Sequence, residues 1–283
     1  MIRSYLRPAA ALALVGLMAS CSGSKTESEN GTAADTLPAA TEAAVAEPAA
    51  DPAQDFLQSL PSPIHVARMF NKAGLKYAAG VTNPTSEADK YQSASARALN
   101  LGVYTTDLAY STFNNQNQAA VDYFKAVQKL GEGLNMSSMF ESTNLVPRFE
   151  KNLGNKDSLL YLMSQLSLES DMLLKGAKRM DVVALSFAGA WTESCYLATT
   201  LLAQSKNTDL YNRLLDQQTT LPKLIALLES QTGDESKATI EGLKDLQAKL
   251  ERLSASNAAV GSEDFNAFQK AINDFRTQLV KNV

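Results

Sequence analysis

SEDFNAFQKAINDFRTQLVK, residues 262–281, sets Phe265, Phe268, Ile272, Phe275 and Leu279 three and four apart, with charged and amide residues between them. That spacing puts the five on one helical stripe and the polar residues on the opposite face. Ser262 is a good N-cap, so a helix starting there and packed against near-aligned neighbours is predicted. Working back along the chain, the same period recurs. Asp234 opens a helix with Ile240, Leu243, Leu250 and Leu253 in its stripe. Pro222 divides or kinks the segment Leu210–Ser230, with Thr220 as a second cap, and Thr208 starts the helix before it. Asp181 begins the most hydrophobic helix, running to about Ser205. Asp157 caps one with Leu159, Met163, Leu166, Met172 and Leu173, ended by Gly176.

Further back, helices are predicted over about Ser138–Asn152, bent at Pro147, over Gln116–Leu130, over Ser86–Phe113, and from Ser62 to near Gly74. No run of alternating β-branched residues suggests a strand. The fold class is therefore all-α, a bundle of eight or nine mostly antiparallel helices, in one domain or in two lobes meeting near residue 155. Gly102-Val103-Tyr104-Thr105 is echoed by Gly189-Ala190-Trp191-Thr192. Chance or an internal duplication would account for the echo. Glycine inside a helix costs about 1 kcal/mol relative to alanine, so its use at both places suggests a closely passing backbone.

From Ala98 to Val121 the one charged residue is Asp107, and from Val182 to Ser205 it is Glu193. On a helix Asp107 shares a face with Asn100 and Tyr104, and Glu193 with Tyr196. These five form a candidate polar or ligand site. Two inward acids could hold a cationic or hydroxyl-rich ligand, or a hard metal with asparagine oxygens. Alternatively each face is solvated, or each acid meets a lysine, arginine or hydroxyl on a neighbouring helix. Trp191, Phe187, Phe140 and Met139 read as core. His65 is the single histidine, which excludes two-histidine metal motifs and leaves a serine triad without support. Cys195, in an apolar helix, reads as a small buried hydrophobe. With no phosphate loop or dinucleotide fingerprint, no cofactor, resident metal or catalytic residue is expected.

The first 60 residues are of another kind. Arg3 and Arg7 precede an apolar run over Ala9–Met18, too short to span a bilayer, which needs ~20 residues. Then comes Ala19-Ser20-Cys21, which resembles the processing site of bacterial lipoproteins. The resemblance implies cleavage between Ser20 and Cys21, a diacylglyceryl group on the Cys21 thiol, and acylation of the freed amine. Two or three chains would hold the protein on its membrane. Ser22, in place of an aspartate, implies the outer membrane. From residue 22 to 55 the chain carries seven acids, one lysine and little aliphatic bulk, the composition of a disordered tether with a reach of roughly 30 Å. Asp35-Thr36-Leu37 resembles a short O-glycosylation acceptor, with Thr36 as the site. The expected division is a signal over 1–20, the lipidated cysteine and tether over 21–60, and a helical domain over 61–283.

ALNLGVYTTDLAYSTFNNQNQAAVDYFKAVQKL, residues 98–130, and Lys151-Asn152-Leu153-Gly154-Asn155-Lys156-Asp157-Ser158-Leu159-Leu160 resemble a group of helical lipoproteins of Gram-negative bacteria. That resemblance supports address and fold and brings no activity. Of the formal charge of −4, none is left on residues 56–283, which argues against nucleic acid. The expected function is a non-catalytic helical module of the cell envelope, held by membrane lipid through Cys21 and binding an envelope protein or a small ligand. The alternatives are a glycan-acting enzyme using two carboxylates ~5–9.5 Å apart, and a structural spacer.

Overall fold

The computed structural model describes His65, Arg68, Met69 and residues 72–74, 76–142 and 144–281. Among the described residues there are ten α-helices, three short 3-10 helices and no strand, so the all-α class holds. The expected signal, Cys21, the tether and Thr36 lie outside them, as does most of the expected first helix, of which His65, Arg68, Met69 and Lys72 are helical.

Several boundaries differ from the sequence expectation, for local reasons. The helix expected from Ser86 splits into a 3-10 turn over Thr85–Lys90 and α1, Ala94–Phe113, because buried Tyr91 is extended and Ser93 caps α1 through Ala96 N–H. After α2, Asn117–Glu132, the expected bent helix is two helices, α3 over Ser137–Ser142 and α4 over Leu145–Lys151. The break falls at Asn144, whose φ is 49°, and not at Pro147, which sits in the first turn of α4 where no backbone donor is needed. α5, Lys156–Gly176, is capped by the Asn155 side chain rather than Asp157. Met172, expected in its core stripe, is 59% exposed; Tyr161, Leu168 and Met172 share the outer face.

α6 runs over Met180–Ser205 and α7 over Thr208–Leu215, capped by Asn207. α8, Leu221–Gln231, carries Pro222 in its first turn. α9, Lys237–Ala255, and α10, Glu263–Lys281, finish the chain, the latter capped by Ser262 through Phe265 N–H. The five apolar residues of the α10 stripe and the four of α9 are all buried.

α1 and α6 form the centre. α2, α5 and α10 pack on α1, while α5, α7, α8 and α10 pack on α6. One continuous core reaches from Ala73 to Leu279, and the described residues belong to one compact unit rather than two lobes. Among the described residues, no helix is long and apolar enough to cross a membrane.

Candidate functional site

The centre of the bundle is built by two glycines. A Cβ on Gly102 would lie 1.9 Å from the Ser186 carbonyl oxygen, and one on Gly189 would lie 1.8 Å from that of Leu99. Each glycine thus rests on the backbone three residues before the other, the close approach that the echoed tetrapeptides suggest. Hydroxyls tie the pair further. Ser186 Oγ donates to the Ala98 carbonyl at 3.0 Å, and Thr106 Oγ1 donates to the Gly102 carbonyl at 3.1 Å and lies 3.4 Å from that of Ala190. Partners advance in the same direction along both helices, so α1 and α6 run parallel at this contact.

Roughly one turn past each glycine stands an acid. Asp107 and Glu193 both have no exposed surface, so neither face is solvated. Glu193 is held by Arg276 of α10 in a bidentate pair, Nε to Oε2 at 2.9 Å and Nη2 to Oε1 at 3.1 Å. The guanidinium also lies over the Tyr196 ring, 4.3 Å from its centroid. Two turns earlier on α10, Gln269 donates to the Thr199 carbonyl at 3.0 Å, which fixes the antiparallel register that brings Arg276 to Glu193.

Asp107 has a different partner. Its Oδ2 accepts from both the backbone and the side-chain amide of Asn83, each at 3.0 Å, while Oδ1 is buried with no hydrogen bond. Burial pushes its carboxyl well above the ordinary carboxylate range. The Glu193 charge pushes the same way, against the Asn83 bonds and Arg276, which pull down.

Tyr104 is fully buried and donates to the Pro84 carbonyl at 2.8 Å, and Tyr123 donates to that of Asn83 at 2.7 Å. Together with Asp107 they latch the segment before α1 onto the bundle. Asn100 Nδ2 donates to the carbonyls of Ala96 and Leu279, holding the end of α10. The structure therefore brings Asp107, Glu193 and Tyr196 into one buried electrostatic cluster, and gives Tyr104 and Asn100 to backbone contacts around it. Arg276 and Asn83 complete that cluster and were not among the expected site residues.

This cluster is closed. A saccharide or cation has no route to carboxylates without exposed surface, and their polar partners come from the chain itself. Among the described residues no three His, Cys, Asp or Glu side chains converge as a metal site would require. Cys195 is fully buried, and burial raises its thiol well above the usual range, so it is held as the unreactive thiol.

An accessible feature lies beside the α1/α6 pair, where Gly102 and Ser186 reach its wall. A pocket of about 80 Å³ opens between α1, α2, α3, α5 and α6. Apolar side chains such as Leu101, Leu108, Met136, Met163 and Val183 make most of its walls; Thr105 and Ser186 also line it with hydroxyls bonded to the Leu101 and Ala98 carbonyls, and Ser167, Ser170 and Asp171 supply a polar edge from one face of α5. Met139, Phe140 and Trp191 are buried in the core as expected, and half-buried Phe187 packs against it; of these, Met139, Phe140 and Phe187 also line the pocket. Gly102 belongs to both features: its missing side chain admits α6, and it stands among the residues that line the pocket.

No protein-family model, curated protein or solved structure matches the chain.

Proposed function

We propose that the protein is a cell-envelope lipoprotein, anchored through acylated Cys21, whose helical domain is a non-catalytic binding module for a small, mostly apolar ligand. The observation that carries this reading is the pocket beside the α1/α6 pair. Its walls come from five helices and are mostly apolar, and three of its hydrogen-bonding side chains, Ser167, Ser170 and Asp171, sit together on one edge. Concave apolar walls with a few convergent polar groups are the usual make-up of a small-molecule site. Three methionines among the walls suit a ligand of adaptable shape, since thioethers are flexible and polarizable. The anchor rests on the sequence from Arg3 to Cys21. A glycan-acting enzyme finds no support in the geometry, because Asp107 and Glu193 are sealed and already partnered.

A ¹²⁹Xe chemical-shift titration of the full-length chain in lipid nanodiscs, with xenon as an apolar probe small enough for the pocket, tests the binding reading. Saturable binding is expected, and Val183→Phe, which fills the pocket, should abolish it while the helical circular dichroism is kept. Unsaturable partition into lipid alone, or binding indifferent to Val183→Phe, would overturn it.

A further inference from the structure

The pocket's polar edge is only partly used by the protein itself. Ser167, Ser170, Asp171 and Leu174 stand at helical spacing on the face of α5 that looks into the pocket. Ser170 Oγ lies 2.8 Å from the Leu166 carbonyl, to which it donates, and 2.9 Å from Met139 Sδ, so its proton is committed while its oxygen keeps acceptor capacity. Among the described residues Ser167 makes no hydrogen bond, and Asp171 makes neither a hydrogen bond nor an ion pair. Burial holds the Asp171 carboxyl above its ordinary range, and Lys175, one turn on, offsets this only in part. A half-buried carboxylate beside two hydroxyls, with no cation bonded to it, is an anionic site at the rim of an apolar hole, and the hydroxyl oxygens can accept alongside it.

We infer that the pocket selects an alkylammonium ligand, with its ammonium held by Asp171, Ser167 and Ser170 and its hydrocarbon chain pointing in toward Met163 and Val183. The inference rests on the ligand-binding reading of this pocket. Charge fixes the sign: Asp171 is the one charged side chain among those lining the pocket, so the edge favours a cation and disfavours a carboxylate or phosphate head. Size fixes the tail. An apolar cavity of ~150 Å³ takes a benzene, so a space of about 80 Å³ suits a chain of roughly three or four carbons. The same ammonium chemistry could reach the pocket as a free small amine or at the end of a larger molecule, and the free amine is what we assign.

The test uses the full-length chain in nanodiscs with ¹³C-methyl methionine, titrated with n-butylamine and, separately, n-butanol. Both tails match the pocket and only one head carries charge. The Met136, Met139 and Met163 methyl signals should shift saturably, with butylamine about tenfold tighter than butanol, the margin a charge-assisted bond supplies. In Asp171→Asn that preference should fall to near unity, with butanol affinity unchanged and the melting temperature kept. A lysine-containing tripeptide amide with blocked termini serves as the third probe, and weaker binding than butylamine is expected of it. If butanol binds and butylamine binds no better, or if the preference survives Asp171→Asn, the ammonium assignment fails and the pocket reading stands. Tighter binding of the tripeptide overturns the free-amine assignment. If no probe shifts the methionine signals, the pocket reading fails as well.

Discussion

Gly102→Ala sets two opposed effects against each other, and the structure decides between them. In a helix interior the change to alanine gains about 0.5–1 kcal/mol through lower backbone entropy loss. Against that, the added Cβ lies 1.9 Å from the Ser186 carbonyl oxygen and 2.7 Å from Ala190 N, both of them helix backbone. Contact becomes ordinary near 3.4 Å, so α6 must recede by about 1.5 Å, and a gap of even 0.5–1 Å forfeits a quarter to a half of each dispersion contact along the seam. Overpacking commonly costs 1–3 kcal/mol and more where nothing can yield. A net loss of about 3 kcal/mol is expected, or about 6–12 °C in melting temperature for a chain of this size. Gly189→Ala should behave alike, and the double variant should cost less than the two added, because one separation serves both methyl groups. Gly176→Ala is the control: open space surrounds its Cβ, so it should be neutral or slightly stabilising. Thermal melts followed by circular dichroism give the comparison. Gly102→Ala at or above wild-type stability would refute the close-contact argument.

Glu193→Gln should cost roughly 3–5 kcal/mol in denaturant melts by leaving Arg276 uncompensated. Arg276→Gln should cost more, because Glu193 has no exposed surface and lies near Asp107 while the Arg276 side chain is 14% exposed; equal costs would argue against that ranking. Asp107→Asn tests the raised carboxyl. Between the ordinary range and its raised value the folded chain keeps a proton that the unfolded chain has released. Stability therefore falls as pH rises through that window, by up to about 1.4 kcal/mol per unit, and the variant should lose this component. Identical pH slopes for the two proteins would remove it. Cys21→Ser should shift the protein from the membrane fraction to the soluble fraction or leave it unprocessed, and a wild-type chain without acyl mass would overturn the anchor.

The all-α class was legible because apolar period needs no tertiary knowledge, as the α10 stripe demonstrates. So was the backbone approach at Gly102 and Gly189, since glycine in a long helix has few other reasons to be there. Isolation in uncharged runs was enough to single out Asp107 and Glu193, because a charge amid buried positions must find a partner. What the partner is lies beyond one helix. Arg276 did leave a trace: four residues after Ile272 and three before Leu279, it falls inside the apolar stripe rather than opposite it. Asn83, in what reads as a turn, left none. The pocket was illegible for a different reason. Its walls come from five elements, and Met139 and Phe187 look the same in sequence whether they fill a core or border a hole. The breaks at Tyr91 and Asn144 reflect local backbone conformations that a periodic pattern passes over.

The parallel pairing of α1 with α6 also bears on the order of events as the chain folds. Gly102 and Gly189 are 87 positions apart, and closing a loop of that length costs on the order of 4 kcal/mol in chain entropy before the seam repays it. The helices up to Gly176 can form earlier and α1 can pair with α2, but the face of α1 that carries Gly102 stays uncovered until α6 has been made. The amino-terminal half therefore stays incompletely packed while it is still alone, and the decisive step comes late, when the two glycines meet.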